Sequence, residues 1–312
     1  MSKAAYAKRA EATSKIENFW PLVIEQAPTE VDQYIQSQDS QILGEHLVNV
    51  SVTRPEIVDE ATGNPRSLHF KFEFSPNDYF TDTSLEKTFW YRRARDGFVG
   101  LVSEPVEVHW RKGKDLTQGL NTLAVRLWEA RKKAGDMRST KLKEYAELEK
   151  KVESWNGRNT SFFTWFGWIS GRRWVSAEES EAAVAAHRDR KEQKKRGRGA
   201  QDGDLAEEEN DDDEEAESDQ AVEVHENGED LAISIADDLW PSAIKLFTDA
   251  QEMDDLSDAE FEEGGDEQDS DAEVQTDAPI DIRSLVQDAN GKGKGRKVAK
   301  DDTERPTKKI KR

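Results

Sequence analysis

The sequence predicts an α+β domain in which a four-stranded antiparallel sheet is covered on one side by helices. Between Val48 and Trp110, apolar residues recur at every second position, the period of half-buried strands. On both sides of that region the spacing changes to three and four residues, the period of amphipathic helices. Composition limits how much of the chain takes part: with 35% apolar and 36% charged residues among 312, there are too few apolar side chains to pack the whole length.

The elements follow in order. Residues 2–18 read as a helix rich in Ala, Lys and Glu, with Tyr6, Thr13 and Ile16 on a thin apolar stripe and Pro21 marking its end. Two short helices follow, one capped by Thr29 with Asp32 three residues on, one starting at Asp39. Val48, Val50 and Val52 form a first strand, and "ATGNPR" turns the chain into a second that carries Leu68, Phe70, Phe72 and Phe74. "KTFWYRR" and "VEVHW" supply the third and fourth strands, and one apolar face on four consecutive strands implies an antiparallel sheet under helices. Leu120, Leu123 and Leu127, then Leu142, Tyr145, Leu148, Val152 and Trp155, mark two helices able to cover it. "SFFTWFGWIS", residues 161–170, is core by its aromatic content; a nucleic-acid stacking platform needs exposed rings in a basic groove. Residues 231–247 return to the domain, because Leu239, Trp240, Ile244, Leu246 and Phe247 each gain about 1.5–3 kcal/mol on burial.

The net charge of −21 divides unevenly. Residues 1–200 hold 33 basic and 29 acidic side chains, 202–281 hold 1 and 33, and 282–312 hold 11 and 4. Opposed blocks such as "HRDRKEQKKRGRG" and "EEENDDDEEAE" are expected to be disordered. The basic run from His187 to Arg198 reads as a solvated helix extension, with DNA contact or an address signal as alternatives. Cysteine is absent, which excludes disulfides, thiolate metal sites and thiol nucleophiles. The N-terminus carries charge where a secretion signal needs an apolar core, and a soluble intracellular protein is expected, with no membrane partner. "GKGKGR" at 291–296 follows no strand and lacks the Gly-Lys-Ser/Thr of a phosphate loop. Neither a catalytic constellation nor a cofactor site stands out, so no enzyme is expected.

"NFWPLV", "FKFEFSPNDYF", "VEVHWRKGKDLT", "SFFTWF" and "DDLWPSAIKLF", in that order and followed by acid, resemble the nucleosome assembly protein family, with "FFTWF" and "DDLWP" most like its SET (template-activating factor) branch. The resemblance implies a NAP-like fold: a dimerisation helix joined to an "earmuff" domain, acting in the nucleus as a chaperone of core histones, of one or both heterodimer pairs. It divides the chain into the end of a dimerisation helix (1–20), the earmuff (21–170 with 231–248), a disordered charged insert (171–230), an acidic tail (249–281) and a basic C-terminal tail (282–312). Homodimerisation is implied too, although some 18 residues ahead of "NFW" make a helix of only about 27 Å. Thr164 is carried over as a polar contact on the histone-facing side. An alternative in the same branch is a regulatory scaffold that inhibits a nuclear phosphatase or assists a histone-modifying enzyme; DNA would be met only indirectly.

The histone-binding candidates are Thr164, Asp237, Asp238, Asp249, Glu252, Asp254, Asp255, Asp258, Glu260, Glu262 and Glu263, since a polyanion can neutralise cationic histones as DNA phosphates do. The bland reading of those acids is a solubilising tail. Lys308, Lys309, Lys311 and Arg312 in "RPTKKIKR" form a nuclear-import candidate. Ser257 and Ser270 each begin "SDAE", the context acidophilic kinases select, and are candidate phosphorylation sites.

Overall fold

A computed structural model describes residues 3–57, 64–155, 160–170, 174–197 and 222–263, with side chains placed as far as Gln193 in one late helix and Met253 in the last. Its centre is a four-stranded sheet, β1 (Leu47–Thr53), β2 (Leu68–Phe74), β3 (Ser84–Arg93) and β4 (Val99–Ser103), each antiparallel to the next in the order β1-β2-β3-β4. The register pairs Val50 with Phe72, Phe72 with Leu85 and Leu68 with Phe89, so a single inward face carries Val50, Val52, Leu68, Phe70, Phe72, Phe74, Leu85 and Phe89.

The fourth strand is not the expected one. β4 is "VGLVS", reached from β3 through a tight turn at Asp96-Gly97, where Gly97 takes φ 92°. Asp-Gly between two β-forming runs is a hairpin signal, and it pre-empts "VEVHW". That segment is extended but pairs elsewhere: the Val106 N–H donates to Phe166 O (2.7 Å), and Trp110 bridges to Phe80.

Both edges of the sheet are covered, which guards against edge-to-edge association. Trp240 Nε1 donates to Val50 O on β1 (3.2 Å). On β4, the Leu101 N–H donates to Glu229 Oε1 (3.1 Å) and the Ser103 N–H to Ile169 O (2.8 Å).

The helical layer also departs from expectation. α1 (Lys3–Thr13) stops five residues short of the expected end, and Pro21 lies in the first turn of α2 (Phe19–Glu25), where its missing N–H costs nothing. α1 lies against Trp240, with Tyr6 ring to ring (4.1 Å between centroids) and the Arg9 guanidinium over the indole at 4.3 Å while it donates to Trp240 O. Ile16, expected on the stripe, is exposed in the turn. α3 (Thr29–Asp32) follows Pro28, and α4 (Ser37–His46) begins with a capping box formed by Gln36 and Asp39, placing Asp39 inside the helix rather than at its start. α5 (Leu120–Ala134) and α6 (Lys143–Trp155) do not cover the sheet. They share a smaller core of Leu120, Ala124, Leu127, Tyr145 and Leu148, joined by Val224.

The expected disordered insert is in large part folded. α7 (Ala177–Gly197) packs its first half on β3, and residues 222–230 enter the core with Val224, His225 and Gly228 buried. Charge alone misled here: the apolar residues Val175, Ala183 and Val224 are few but correctly spaced to dock. Positions 198–221 lie outside the described residues. α8 (Gly228–Ser234), a π turn at Ile235–Leu239 and α9 (Ala243–Glu263) complete the order. Residues 231–247 do return to the core, through Leu231, Ile235, Leu239 and Ala243, whereas Ile244 stays 56% exposed.

Candidate functional site

The aromatic segment forms a 3-10 helix, Phe162–Gly167, wedged against the inward face of the sheet. Trp165 meets Phe70 and Phe89 at 5.1 Å between centroids, and Phe166 meets Phe72 at 5.8 Å. Such a wedge buries backbone amides and carbonyls, and each must find a partner. Asp39, wholly buried, accepts from Ser161 Oγ (2.6 Å), the Phe162 N–H (2.8 Å) and the Gln36 N–H (3.0 Å), so one carboxylate holds α4 to the start of the wedge. Burial raises its pKa against the pull of those donors. Asn121 on α5 donates to Phe163 O (2.8 Å), and Trp165 Nε1 donates to Gly228 O (2.9 Å). Gly228 is required there: a Cβ would fall 2.5 Å from the Trp168 indole.

The far end of the wedge is held by Lys87, which occupies the inward face of β3 between Leu85 and Phe89 and is wholly buried. Its Nζ donates to Glu104 O (2.8 Å), Phe166 O (3.0 Å) and Trp168 O. Burial drives its pKa well below the ordinary lysine value, while three carbonyls match the three protons of an ammonium.

Thr164 is not a surface contact. It is wholly buried, its hydroxyl donating to Ser161 O (2.8 Å) and meeting His225 Nδ1 at 2.9 Å. With its one proton committed, the hydroxyl accepts from an Nδ1–H imidazole. His225 Nε2 has no partner among the described residues, and burial, followed by the charge of Lys87, lowers the imidazole pKa to about 3. Nearby Glu223 is pushed up to about 7 by burial and by Glu226 and Glu229.

The other histone-binding candidates lie on α9 and the turn before it. Asp237 is engaged by Arg54 (2.9 Å), whereas Asp238 is exposed. Asp249 pairs with Lys245 one turn back (3.8 Å), and Glu252 is exposed. The acidic tail expected from 249 begins instead as helix, because Phe247 packs on Phe19 (5.0 Å) and Ala250 is buried. Asp254, Asp255, Ser257, Asp258, Glu260, Glu262 and Glu263 continue that helix in backbone. Ser270, Lys308, Lys309, Lys311 and Arg312 lie outside the described residues.

A family profile described as nucleosome assembly protein (NAP) matches residues 1–250. The chain belongs to the nucleosome assembly protein family. Its curated relatives include nucleosome assembly protein 1-like 1 of Mus musculus, 32% identical over 110 residues (33% of this chain, 26% of that protein), and NAP1-related protein 2 of Arabidopsis thaliana, 27% identical over 119 residues (38% and 42%). The match thus spans less than half the length of either relative. Similar solved structures include that of Ccp1, at 23% identity, TM-score 0.43 and coverage of 80% of this chain and 82% of that one. The Vps75 histone chaperone aligns at 18% identity, TM-score 0.45 and coverage of 80% and 85%.

Proposed function

We propose that this NAP-family chain is a histone chaperone of the SET-like branch, in which the acidic run leaving the domain along α9 covers the cationic surface of a core-histone pair. The observation that carries the reading is the continuity of α9. The helix whose first turns pack on Phe19 continues in backbone through eight acidic positions, from Asp249 to Glu263, with Lys245 its single basic residue. A polyanion that begins on a packed helix starts its charge at a defined place on the domain, whereas a loose solubiliser does not.

Deleting 254–281 removes thirteen acids and no base. Full-length and deleted protein should be titrated with each core-histone pair across salt. We expect deletion to weaken binding by about tenfold at low salt and to flatten the dependence of log affinity on log salt. Unchanged affinity and slope would reduce the tail to a solubiliser, and no binding to either pair would favour the regulatory scaffold. The role also needs nuclear entry: replacing Lys308, Lys309, Lys311 and Arg312 by Ala should move a fluorescent fusion to the cytoplasm, and retention in the nucleus would reject that address.

A further inference from the structure

The second half of α7 has no structural task within the domain. Its first half is fixed: Ser176 Oγ accepts from the Glu179 N–H (3.1 Å), Ser180 Oγ accepts from the Arg93 N–H (3.0 Å), and Ala183 is buried. From Val184 to Gln193 every residue is exposed. A helix without a buried face gains nothing from packing and persists on propensity and on its anchored end.

Its charges are nevertheless ordered. At 100° per residue, positions 188, 190, 191, 194 and 195 fall within an arc of about 160°. All five are Arg or Lys, while Asp189, Glu192 and Arg196 fall on the opposite side. Like charges three and four apart, such as Arg188–Lys191 and Lys191–Lys195, repel within a helix and destabilise it. None of Arg188, Arg190 and Lys191 has a carboxylate within salt-bridge distance among the described residues. Beyond Val184, which lies on the same side one turn before Arg188, the face from Arg188 to Lys195 concentrates cations, sets its acids behind and carries no apolar residue, which suits a polyanion with regularly spaced charge.

We infer that the outer half of α7 binds the phosphate backbone of duplex DNA through Arg188, Arg190, Lys191, Lys194 and Lys195. The five span about 10 Å of helix axis, within which duplex DNA presents about six phosphate charges. Contact of this kind positions DNA without reading its sequence. The sequence directly downstream, from Asp202 to Asp219, holds twelve acids and no base, so its removal is expected to favour an anionic ligand. The inference does not depend on histone binding.

The test is fluorescence anisotropy of full-length protein with two 20-base-pair duplexes of unrelated sequence, from 50 to 200 mM salt. Both duplexes should bind alike. Changing the five residues to Gln should weaken binding at least tenfold and reduce the salt slope by about 3 to 4, as expected for the loss of that many phosphate contacts. Arg196→Gln, on the other face, should change affinity less than twofold, and deletion of 202–221 should tighten binding. Circular dichroism and urea denaturation of the five-fold variant establish that the domain is intact. The inference fails if neither full-length nor 202–221-deleted protein binds at 50 mM salt, if the five-fold variant binds as tightly as the parent, or if neutralising the basic C-terminal end abolishes binding instead.

Discussion

Lys87→Ala is expected to lower the free energy of unfolding by about 4–5 kcal/mol, a large share of the stability of a domain this size. The ammonium is the common donor to Glu104 O, Phe166 O and Trp168 O; Glu104 O otherwise has only Ser103 Oγ at 3.2 Å, a hydroxyl that also donates to Thr88 O (2.7 Å), and Trp168 O has no other donor among the described residues. Truncation strands buried acceptors, at about 1–3 kcal/mol each, and empties the space between Leu85 and Phe89. Lys87→Met separates the two effects, because it restores most of the volume and none of the hydrogen bonds; about 2–3 kcal/mol of loss should remain. Urea denaturation with an unchanged m-value is the measurement. A loss under 1 kcal/mol for Lys87→Ala would mean that the end of the 3-10 helix does not depend on this anchor.

Lys87 marks the border of what the sequence makes legible. The alternation that identified β2 also places Leu85, Lys87 and Phe89 on one face of β3, so an inward lysine was readable from period two alone. Its three carbonyl partners were not, since Glu104, Phe166 and Trp168 come from two segments far apart in the chain. The sheet and the buried aromatic wedge were legible because their apolar residues are dense and periodic. The fourth strand differs from expectation because "VEVHW" alternates well and "FVGLV" does not, while the Asp-Gly turn before the latter decides between them. Thr164 and His225 show a deeper limit. The family resemblance offers Thr164 as a surface contact, and His225 lies in an insert whose charge predicts disorder; only packing brings Oγ1 and Nδ1 to 2.9 Å. The folded start of α9 is hidden by acidic composition, which masks the anchoring of Phe247 and Ala250.

Acid should destabilise the domain steeply between pH 6.5 and about 4.5, with His225 the main cause. The imidazole is buried and held neutral, with a folded pKa of about 3 against 6.5 unfolded. Between those values the unfolded chain binds the proton and the folded chain does not, so stability rises with pH across the window and is lost as pH falls below 6.5. The full span is worth roughly 4–5 kcal/mol, and the part between pH 7 and 4.5 about 2.7 kcal/mol. Glu223 acts in the opposite sense. Its folded pKa of about 7 means that the folded chain keeps a proton the unfolded chain has released, so its contribution falls as pH rises from 4.5 through 7. The side chain keeps partial contact with solvent, which reduces this opposing effect to about 1 kcal/mol. Asp39, raised by burial, shares the sign of Glu223. His225→Gln keeps a polar partner for Thr164 and removes the titration. The stability difference between parent and variant, read from urea midpoints at pH 7.5, 6.5, 5.5 and 4.5, should therefore shrink by about 2.7 kcal/mol toward acid and can change sign. A difference independent of pH would show that His225 takes up its proton without leaving the core, and the acid sensitivity would then belong to other groups.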